Sequence, residues 1–123
     1  MKKILYLFII IPLLSLANDK NSLSVGETLP IPNYKMKSVD GGFYSLNDLK
    51  TEEGILVIFT CNTCPFVIMW EDRYKMLEEY CKKNNIGMAY INSNYKRRNS
   101  VDSYKSMIEH SKNMNYNYEY LVD

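Results

Sequence analysis

The sequence predicts an α/β domain with parallel strands at its centre, and three observations lead to this prediction. Residues 55–60 are almost entirely apolar and rich in β-branched side chains, as in a strand that is covered on both faces. Residues 86–91 form a second apolar segment. Between the two segments, apolar side chains recur every three or four positions, which is helical spacing. A helix between two buried strands predicts a βαβ unit with parallel strands and a right-handed crossover.

The composition is that of one globular domain. Hydrophobic residues make up 46% of the 123 residues and charged residues 24%, and no internal repeat or low-complexity segment divides the chain. The formal net charge of +1 is too small to predict binding to nucleic acid, to a membrane surface or to an acidic substrate.

Residues 1–17 have the pattern of a secretory signal peptide. Lys2 and Lys3 precede an apolar run, and Ala17 ends a segment of small residues that suits a signal peptidase. A membrane anchor is the alternative, but the run is shorter than the ~20 apolar residues of a span and contains Pro12. We therefore expect an exported, periplasmic protein that keeps no stable membrane span once the signal is cleaved.

The next part of the chain predicts a loop and a β-hairpin. Residues 18–33 are polar and contain two prolines, so they predict an N-terminal extension without a helix or a central strand. Residues 34–39 alternate between apolar and polar side chains and predict a half-buried strand. Asp40 and Gly41 are a strong hairpin signal, and the returning strand is expected at residues 43–44.

Three helices are predicted. Ser45 caps a short one, with Asp48 in its first turn. The apolar stripe from Phe66 to Cys81 predicts one continuous helix of about five turns, which Asn84 and Asn85 can end. Ser100 is expected to cap the last helix, and residues 118–123 begin a further element. The apolar stripes that we expect to face the core are Phe66, Trp70, Tyr74, Leu77 and Cys81 in the long helix, and Val101, Tyr104, Met107 or Ile108, and Ser111 in the last one.

Cys61 and Cys64 lie where the first buried strand gives way to the long helix. Two cysteines at this spacing in a first helical turn have Cα atoms about 5–6 Å apart, within the range of a disulfide. The partial positive charge of a helix N-terminus favours the thiolate, which is the nucleophilic form. We therefore predict a redox-active dithiol, with Cys61 as the more exposed, attacking thiol and Cys64 as the resolving thiol. A structural bridge is the alternative, but so short a loop would remove little chain entropy.

The remaining candidate ligands predict neither a metal site nor a cofactor. A structural zinc ion needs four N or S ligands, and the chain has three cysteines and one histidine, His110. Along a continuous helix, Cys81 would lie about 25 Å from Cys64, too far to share an ion or a disulfide with it. We expect Cys81 to be a buried core thiol and assign no role to His110. No histidine follows Cys64, so covalent haem attachment is not predicted.

At these residues the sequence resembles the AhpC/TSA-type redoxins of the thioredoxin-like superfamily, and among them the exported thiol–disulfide oxidoreductases with a C-x-x-C motif. Residues 57–67, which contain the dithiol, are the most specific part of the resemblance. The other matching segments are residues 25–30, 40–41, 45–49, 89–94 and 120–123. The resemblance implies a thioredoxin-like three-layer α/β/α fold around the βαβ unit. It also implies thiol–disulfide oxidoreductase activity on protein thiols or disulfides, with a second protein as electron donor or acceptor and no bound cofactor.

Two alternatives remain within this superfamily. Peroxiredoxins carry the pattern P-x-x-x-[TS]-x-x-C, in which Cys64 takes the peroxidatic position, while Cys61 replaces the Thr or Ser and Val57 the Pro. A peroxidase would then use Cys64 without the hydroxyl that orients peroxide in that family. The other alternative is a non-catalytic redoxin that binds a metal or a partner protein through its thiols.

Members of this superfamily continue into a loop with a cis-proline that faces the disulfide, then into a β-hairpin and a final helix. Residues 34–123 offer no proline suitably placed for that loop and no segment for the hairpin. We therefore expect a redoxin domain that is incomplete at its C-terminus and that leaves one edge of its sheet uncovered. An inactive truncated fragment is the corresponding alternative.

Overall fold

The computed structural model describes residues 22–123, which form one five-stranded sheet and four helices. The strands are β1 (Met36–Ser38), β2 (Phe43–Tyr44), β3 (Ile55–Phe59), β4 (Gly87–Asn92) and β5 (Glu119–Val122). The helices are α1 (Leu46–Leu49), α2 (Pro65–Glu71), α3 (Tyr74–Lys83) and α4 (Tyr104–Met114), with a 3-10 turn at Tyr95–Arg97. The predicted signal peptide, residues 1–17, lies outside the described residues. Within the described range, no helix has the length and apolar character that crossing a membrane requires.

The strand order β2-β1-β5-β4-β3 confirms the predicted α/β class. β3 and β4 are parallel, with Val57 opposite Ala89, as the βαβ prediction requires. The hairpin of β1 and β2 is antiparallel, also as predicted. β5 lies at the centre of the described sheet, parallel to β4 and antiparallel to β1. The sequence indicates only that an element begins at residue 118, because the central position of β5 depends on two strands that are distant along the chain.

The position of β3 differs from the prediction. Its apolar composition predicts a central strand that is covered on both faces. Within the described residues, however, β3 pairs only with β4 and forms an edge of the sheet. Its first four residues are half-buried, and Phe59 is 66% exposed. Among the described residues, this edge of the sheet belongs to the strand that leads into the dithiol.

Two buried clusters cover the two faces of the sheet, because successive strand residues point to opposite sides. On one face the strands pack against α3 and α4, and the cluster consists of Tyr74, Cys81, Met88, Tyr90, Met107 and Tyr120. On the other face the cluster consists of Met36, Ala89, Ile91 and Leu121, with α1 packed against it through Leu46 and Leu49. Helices therefore lie on both sides of the sheet, which is the predicted three-layer arrangement. The expectation that Cys81 is a buried core thiol is confirmed.

The predicted long helix is in fact two helices. α2 ends at Glu71 and α3 begins at Tyr74. Between them, the Arg73 N–H donates to the Trp70 carbonyl at 2.9 Å, a contact one residue shorter than the α-helical one. The distance of about 25 Å predicted between Cys64 and Cys81 assumed a continuous helix, so its premise is wrong.

The apolar stripe predicted for this segment is only partly buried. Tyr74 and Cys81 face the core as expected, but two carboxylates, Glu71 and Glu78, share that inner face and are 5% and 3% exposed. The exposed members of the predicted stripe are Phe66, Trp70 and Leu77. Helical spacing therefore identified the helices correctly but not their buried face, because the two carboxylates find hydrogen-bond partners inside the protein.

One of the two predicted N-caps is confirmed. Ser45 caps α1 in a capping box with Asp48. Ser100 does not cap α4, because its hydroxyl donates to the Arg97 carbonyl at 3.2 Å instead. The cap is Ser103, whose hydroxyl accepts a backbone N–H from the first turn at 3.3 Å.

Candidate dithiol site

The candidate site begins directly after β3. Cys61 lies in the turn that follows the buried Thr60, and Cys64 occupies the N-cap position of α2. Pro65 is the first helical residue, where a missing N–H costs no intrahelical hydrogen bond. Both thiols are free and half-buried, so each side chain is partly open to solvent.

Cys64 lies in an environment that favours its thiolate. The backbone N–H groups of Val67 and Phe66 donate to its sulfur and lower the Cys64 pKa. A hydrogen bond from the Cys61 thiol lowers the pKa further, whereas burial and the negative charge of Asp102 raise it. The donors outweigh the opposing effects, and the Cys64 pKa is lower than that of an ordinary cysteine.

Cys61 lies in the opposite kind of environment. Burial is the main cause that raises the Cys61 pKa, and the hydrogen bond that its thiol donates to Cys64 raises it further. Since the thiolate is the attacking species, these directions favour Cys64 as the attacking thiol, whereas the sequence predicts Cys61. The sequence locates the pair at a helix start, but burial of Cys61 could not be recognised from the spacing.

Asn62, between the two cysteines, is held by three hydrogen bonds. Its backbone N–H donates to Asp102 Oδ1 at 2.8 Å, and its side-chain Nδ2 donates to the Val101 carbonyl at 2.8 Å. Its Oδ1 accepts from the Tyr120 hydroxyl at 2.9 Å. The dithiol loop is therefore attached both to the loop before α4 and to β5.

Asp102 is the centre of a buried polar network beneath the dithiol. Its Oδ1 also accepts from Asn92 Nδ2 at 3.0 Å, and its Oδ2 accepts from Asn94 Nδ2 at 2.6 Å. Asn92 Nδ2 donates in addition to the Tyr120 hydroxyl at 3.0 Å. Asp102, Asn92 and Tyr120 are fully buried. No local sequence pattern indicates this network, since Asp102 lies 40 residues from Asn62.

A second buried polar cluster joins the end of α2 to α4. Glu71 Oε1 lies 2.5 Å from His110 Nε2 and also accepts from the Tyr116 hydroxyl. Burial and the hydrogen bond to Glu71 both raise the Tyr116 pKa. His110, to which the sequence assigned no role, therefore pairs with a buried carboxylate. The signal that could have indicated this pairing is the position of Glu71 on the same helical face as the core residue Tyr74.

Within residues 22–123, no group of three or more His, Cys, Asp or Glu side chains is arranged to hold a metal ion. Cys81 belongs to the core cluster beneath α3, where burial raises its pKa. The three cysteines thus divide into the neighbouring pair Cys61 and Cys64 and a separate buried thiol.

No protein-family model and no curated protein matches the chain. Solved structures do match it. A hypothetical protein from Sinorhizobium meliloti is 22% identical with a TM-score of 0.72, over 84% of this chain and 55% of that one. An uncharacterized conserved protein from Geobacillus kaustophilus is 28% identical with a TM-score of 0.69, over 75% and 49%. A cysteine-to-serine mutant of PrxQ from Xylella fastidiosa is 14% identical with a TM-score of 0.62, over 82% and 60%.

These similarities show a thioredoxin-like fold. PrxQ is a peroxiredoxin of the AhpC/TSA type, and its structure matches the mixed sheet and helices of this chain at low sequence identity. The chain spans about half the length of the first two solved structures that it matches. The similarity therefore establishes the fold, and the chemistry has to be argued from the site.

Proposed function

We propose that this thioredoxin-like protein is a thiol–disulfide oxidoreductase that works through the Cys61–Cys64 dithiol. The observation that carries the proposal is the arrangement of the two thiols. The Cys64 sulfur accepts two backbone N–H groups, and the Cys61 thiol donates to that same sulfur. One sulfur is thus prepared as a nucleophile, and the other is within reach to resolve the product of its attack.

The reaction is a two-electron exchange in two steps. The Cys64 thiolate attacks one sulfur of a substrate disulfide, which forms a mixed disulfide and releases the other substrate sulfur as a thiolate. Cys61 then gives up its proton and attacks Cys64 Sγ, which forms the Cys61–Cys64 disulfide and releases the second substrate thiolate. The two released thiolates take up two protons. The substrate is reduced, the dithiol is oxidised, and the reverse sequence oxidises a substrate dithiol.

The order of attack follows from the pKa directions of the two thiols. The lowered pKa of Cys64 makes it the better nucleophile near neutral pH, and the raised pKa of Cys61 suits a thiol that reacts second. We propose protein thiols or disulfides as substrates and a second protein as electron donor or acceptor. The signal-peptide pattern of residues 1–17 supports an exported, periplasmic setting, where such exchange takes place.

Serine variants of the cysteines test the proposal. Purified full-length protein should reduce a protein disulfide such as that of insulin in the presence of dithiothreitol, and Cys64→Ser should lower the rate to background. Cys61→Ser should accumulate a mixed disulfide through Cys64, which mass spectrometry identifies after acid quenching. Cys81→Ser is the matched control, because Cys81 is buried away from the pair and should leave the rate unchanged.

The outcomes separate the function from the order of attack. Full activity in both Cys61→Ser and Cys64→Ser would refute the oxidoreductase proposal. A mixed disulfide trapped through Cys61 in Cys64→Ser would instead support the order that the sequence predicts and would reject Cys64 as the attacking thiol.

Peroxide reduction is a second candidate function, and the lowered pKa of Cys64 favours it. The Cys64 thiolate would attack one peroxide oxygen, the O–O bond would break, and the released oxygen would take up a proton. Cys64 would become a sulfenic acid, and Cys61 would condense with it to form the disulfide and water.

Sulfenic acid formation at Cys64 distinguishes this candidate from disulfide exchange. Cys61→Ser treated with one equivalent of hydrogen peroxide should react with dimedone at Cys64 if peroxide is the substrate. We expect dimedone to label Cys64 slowly, at the rate at which an ordinary low-pKa thiol reacts with peroxide. We expect the same variant to react quickly with disulfides. Fast sulfenic acid formation together with slow insulin reduction would favour the peroxidase.

A further inference from the structure

Asp102 is a buried carboxylate whose position the proposed reaction does not yet explain. It is fully buried in the loop that precedes α4, and within the described residues it forms no ion pair. Burial of an unpaired charge is costly unless hydrogen bonds compensate it. Its two oxygens accept three N–H groups, from the Asn62 backbone and from the amides of Asn92 and Asn94. Each of these three partners is a donor, so both oxygens of the Asp102 side chain act as acceptors.

The loop that carries Asp102 is itself fixed to the ends of the central strands. The Arg98 guanidinium donates to the Asn92 carbonyl at 2.7 Å and to the Asp123 carbonyl at 2.9 Å. The Asp102 backbone N–H donates to the Arg97 carbonyl at 3.2 Å. The carboxylate is therefore held in place independently of the dithiol, and its contact with the Asn62 N–H aligns the loop between the cysteines.

We propose that Asp102 is a positioning residue of the dithiol, which fixes the loop between the cysteines and uses its buried charge to favour the disulfide over the dithiol form. This inference rests on the proposed redox function of the pair. Negative charge beside the site disfavours a second negative charge on sulfur, and the dithiol form is the one that carries a thiolate. A protein whose reduced form is less stable is a stronger reductant. Asp102 would thus bias the pair toward reduction of its substrates.

The charge acts directly on Cys64, since the negative charge of Asp102 raises the Cys64 pKa against the backbone donors that lower it. The other ionisable groups that interact with the pair are Tyr74 and Tyr120, and Glu71 acts on both of these tyrosines. Burial raises the pKa of Tyr74 and of Tyr120, so both phenols remain neutral. Asp102 is the carboxylate that contacts the dithiol loop itself.

Asp102→Asn in the full-length protein removes the charge and keeps an oxygen that can accept the Asn62 N–H. We expect a lower Cys64 pKa, measured from the pH dependence of iodoacetamide alkylation with the modified cysteine identified by mass spectrometry. We also expect the equilibrium with reduced and oxidised glutathione to shift toward the dithiol by about threefold to tenfold, which corresponds to half to one pKa unit. Glu78→Gln is the matched control. Glu78 is also a buried carboxylate that accepts several hydrogen bonds, but it lies in α3, away from the dithiol.

Asn94→Ala provides a test in the opposite direction and applies even if Asp102→Asn fails to fold. It removes one donor from the carboxylate and leaves the charge in place, so we expect a higher Cys64 pKa and an equilibrium shifted toward the disulfide. A folded Asp102→Asn variant with unchanged alkylation profile and glutathione equilibrium would overturn the inference, as would equal shifts in Glu78→Gln. For Asn94→Ala, an unchanged or lowered Cys64 pKa would overturn it.

The redox function and the effect of Asp102 are tested by two different measurements. If wild-type protein forms no Cys61–Cys64 disulfide at any glutathione ratio, the redox function is rejected. The alkylation profile of the reduced proteins still reports whether Asp102 acts on Cys64.

Discussion

Asn62 suits its position because one side chain supplies both a donor and an acceptor. Its Nδ2 donates to the Val101 carbonyl, and its Oδ1 accepts from the Tyr120 hydroxyl. An aspartate of the same shape would keep the acceptor and lose the donor. It would also bring a carboxylate oxygen against the Val101 carbonyl and add a charge beside Asp102. The hydrogen bonds of Asn62 to Val101 and Tyr120 therefore restrict which residue can occupy position 62.

Asn62→Asp should lower the free energy of unfolding by about 1–3 kcal/mol, because it leaves a carbonyl without its donor and places like charges together. Urea denaturation followed by circular dichroism measures this change. The same substitution at Asn113, an exposed residue of α4, is the control and should change stability by less than about 0.5 kcal/mol. Equal losses at both positions would show that the contacts of Asn62 contribute nothing to stability.

Two serines, Ser100 and Ser103, precede α4, and only Ser103 caps it. Ser100 and Ser103 both precede the apolar positions of the helix, and local sequence does not separate them. The turns after the 3-10 segment use the Ser100 hydroxyl for the Arg97 carbonyl, which leaves Ser103 to accept the orphan N–H of the first helical turn.

Ser103→Ala should therefore destabilise the protein by about 1 kcal/mol, the usual cost of losing a serine cap. Ser100→Ala should have a much smaller effect, since its hydroxyl bonds at an exposed site. Thermal or chemical denaturation of the two variants, side by side, makes the comparison. A larger loss in Ser100→Ala would contradict the observed helix start.

Elements with a strong local pattern could be predicted from the sequence, and those that depend on distant partners could not. The capping box at Ser45, the hairpin after Ser38 and the parallel pair β3–β4 follow from short-range spacing and composition. Short-range spacing does not predict the interruption between α2 and α3, nor the central place of β5. β5 has four residues and gains its position from β1 and β4, which lie far away in sequence.

Glu78 connects three parts of the molecule. Its carboxylate accepts from Lys75 in α3, from the Tyr90 hydroxyl in β4 and from the backbone and side chain of Asn117 before β5. Burial alone would raise the Glu78 pKa, but these donors together lower it below its usual value of 4.5. A carboxyl group whose pKa is lower in the folded state stabilises the protein above its unfolded pKa. That contribution is lost as the pH falls through the folded pKa.

Wild-type protein should therefore lose stability as the pH is lowered from about 5 toward acid, and Glu78→Gln should show a smaller pH-dependent loss over the same interval. Glu78→Gln will be less stable than wild type near neutral pH, so the slope against pH is the informative quantity. Urea unfolding at a series of pH values measures it, with the exposed neighbour Glu79→Gln as control. Identical slopes in wild type and Glu78→Gln would reject this role.

Across the whole chain, the sequence predicts the candidate dithiol, and the structure supplies its surroundings. Cys61 and Cys64 can be recognised in the sequence because they lie three positions apart between a predicted strand and a predicted helix. The burial that separates their pKa values, and the Asp102 network beneath them, arise only when the loop before α4 meets the end of β3. The pairing of the buried Glu71 likewise depends on a distant residue, because His110 lies 39 residues away.

Because the helix is interrupted after Glu71, α2 can open and close separately from the rest of the domain. α2 has seven residues, too few to be stable as an isolated helix, and both amide donors to the Cys64 sulfur lie in its first turn. Short segments of this kind open and close more often than the whole domain unfolds, and hydrogen exchange reports the two events separately. Each opening of α2 would withdraw the donors and raise the Cys64 pKa while the sheet stayed intact. The reactivity of the dithiol would then follow the local opening of α2 rather than the stability of the fold.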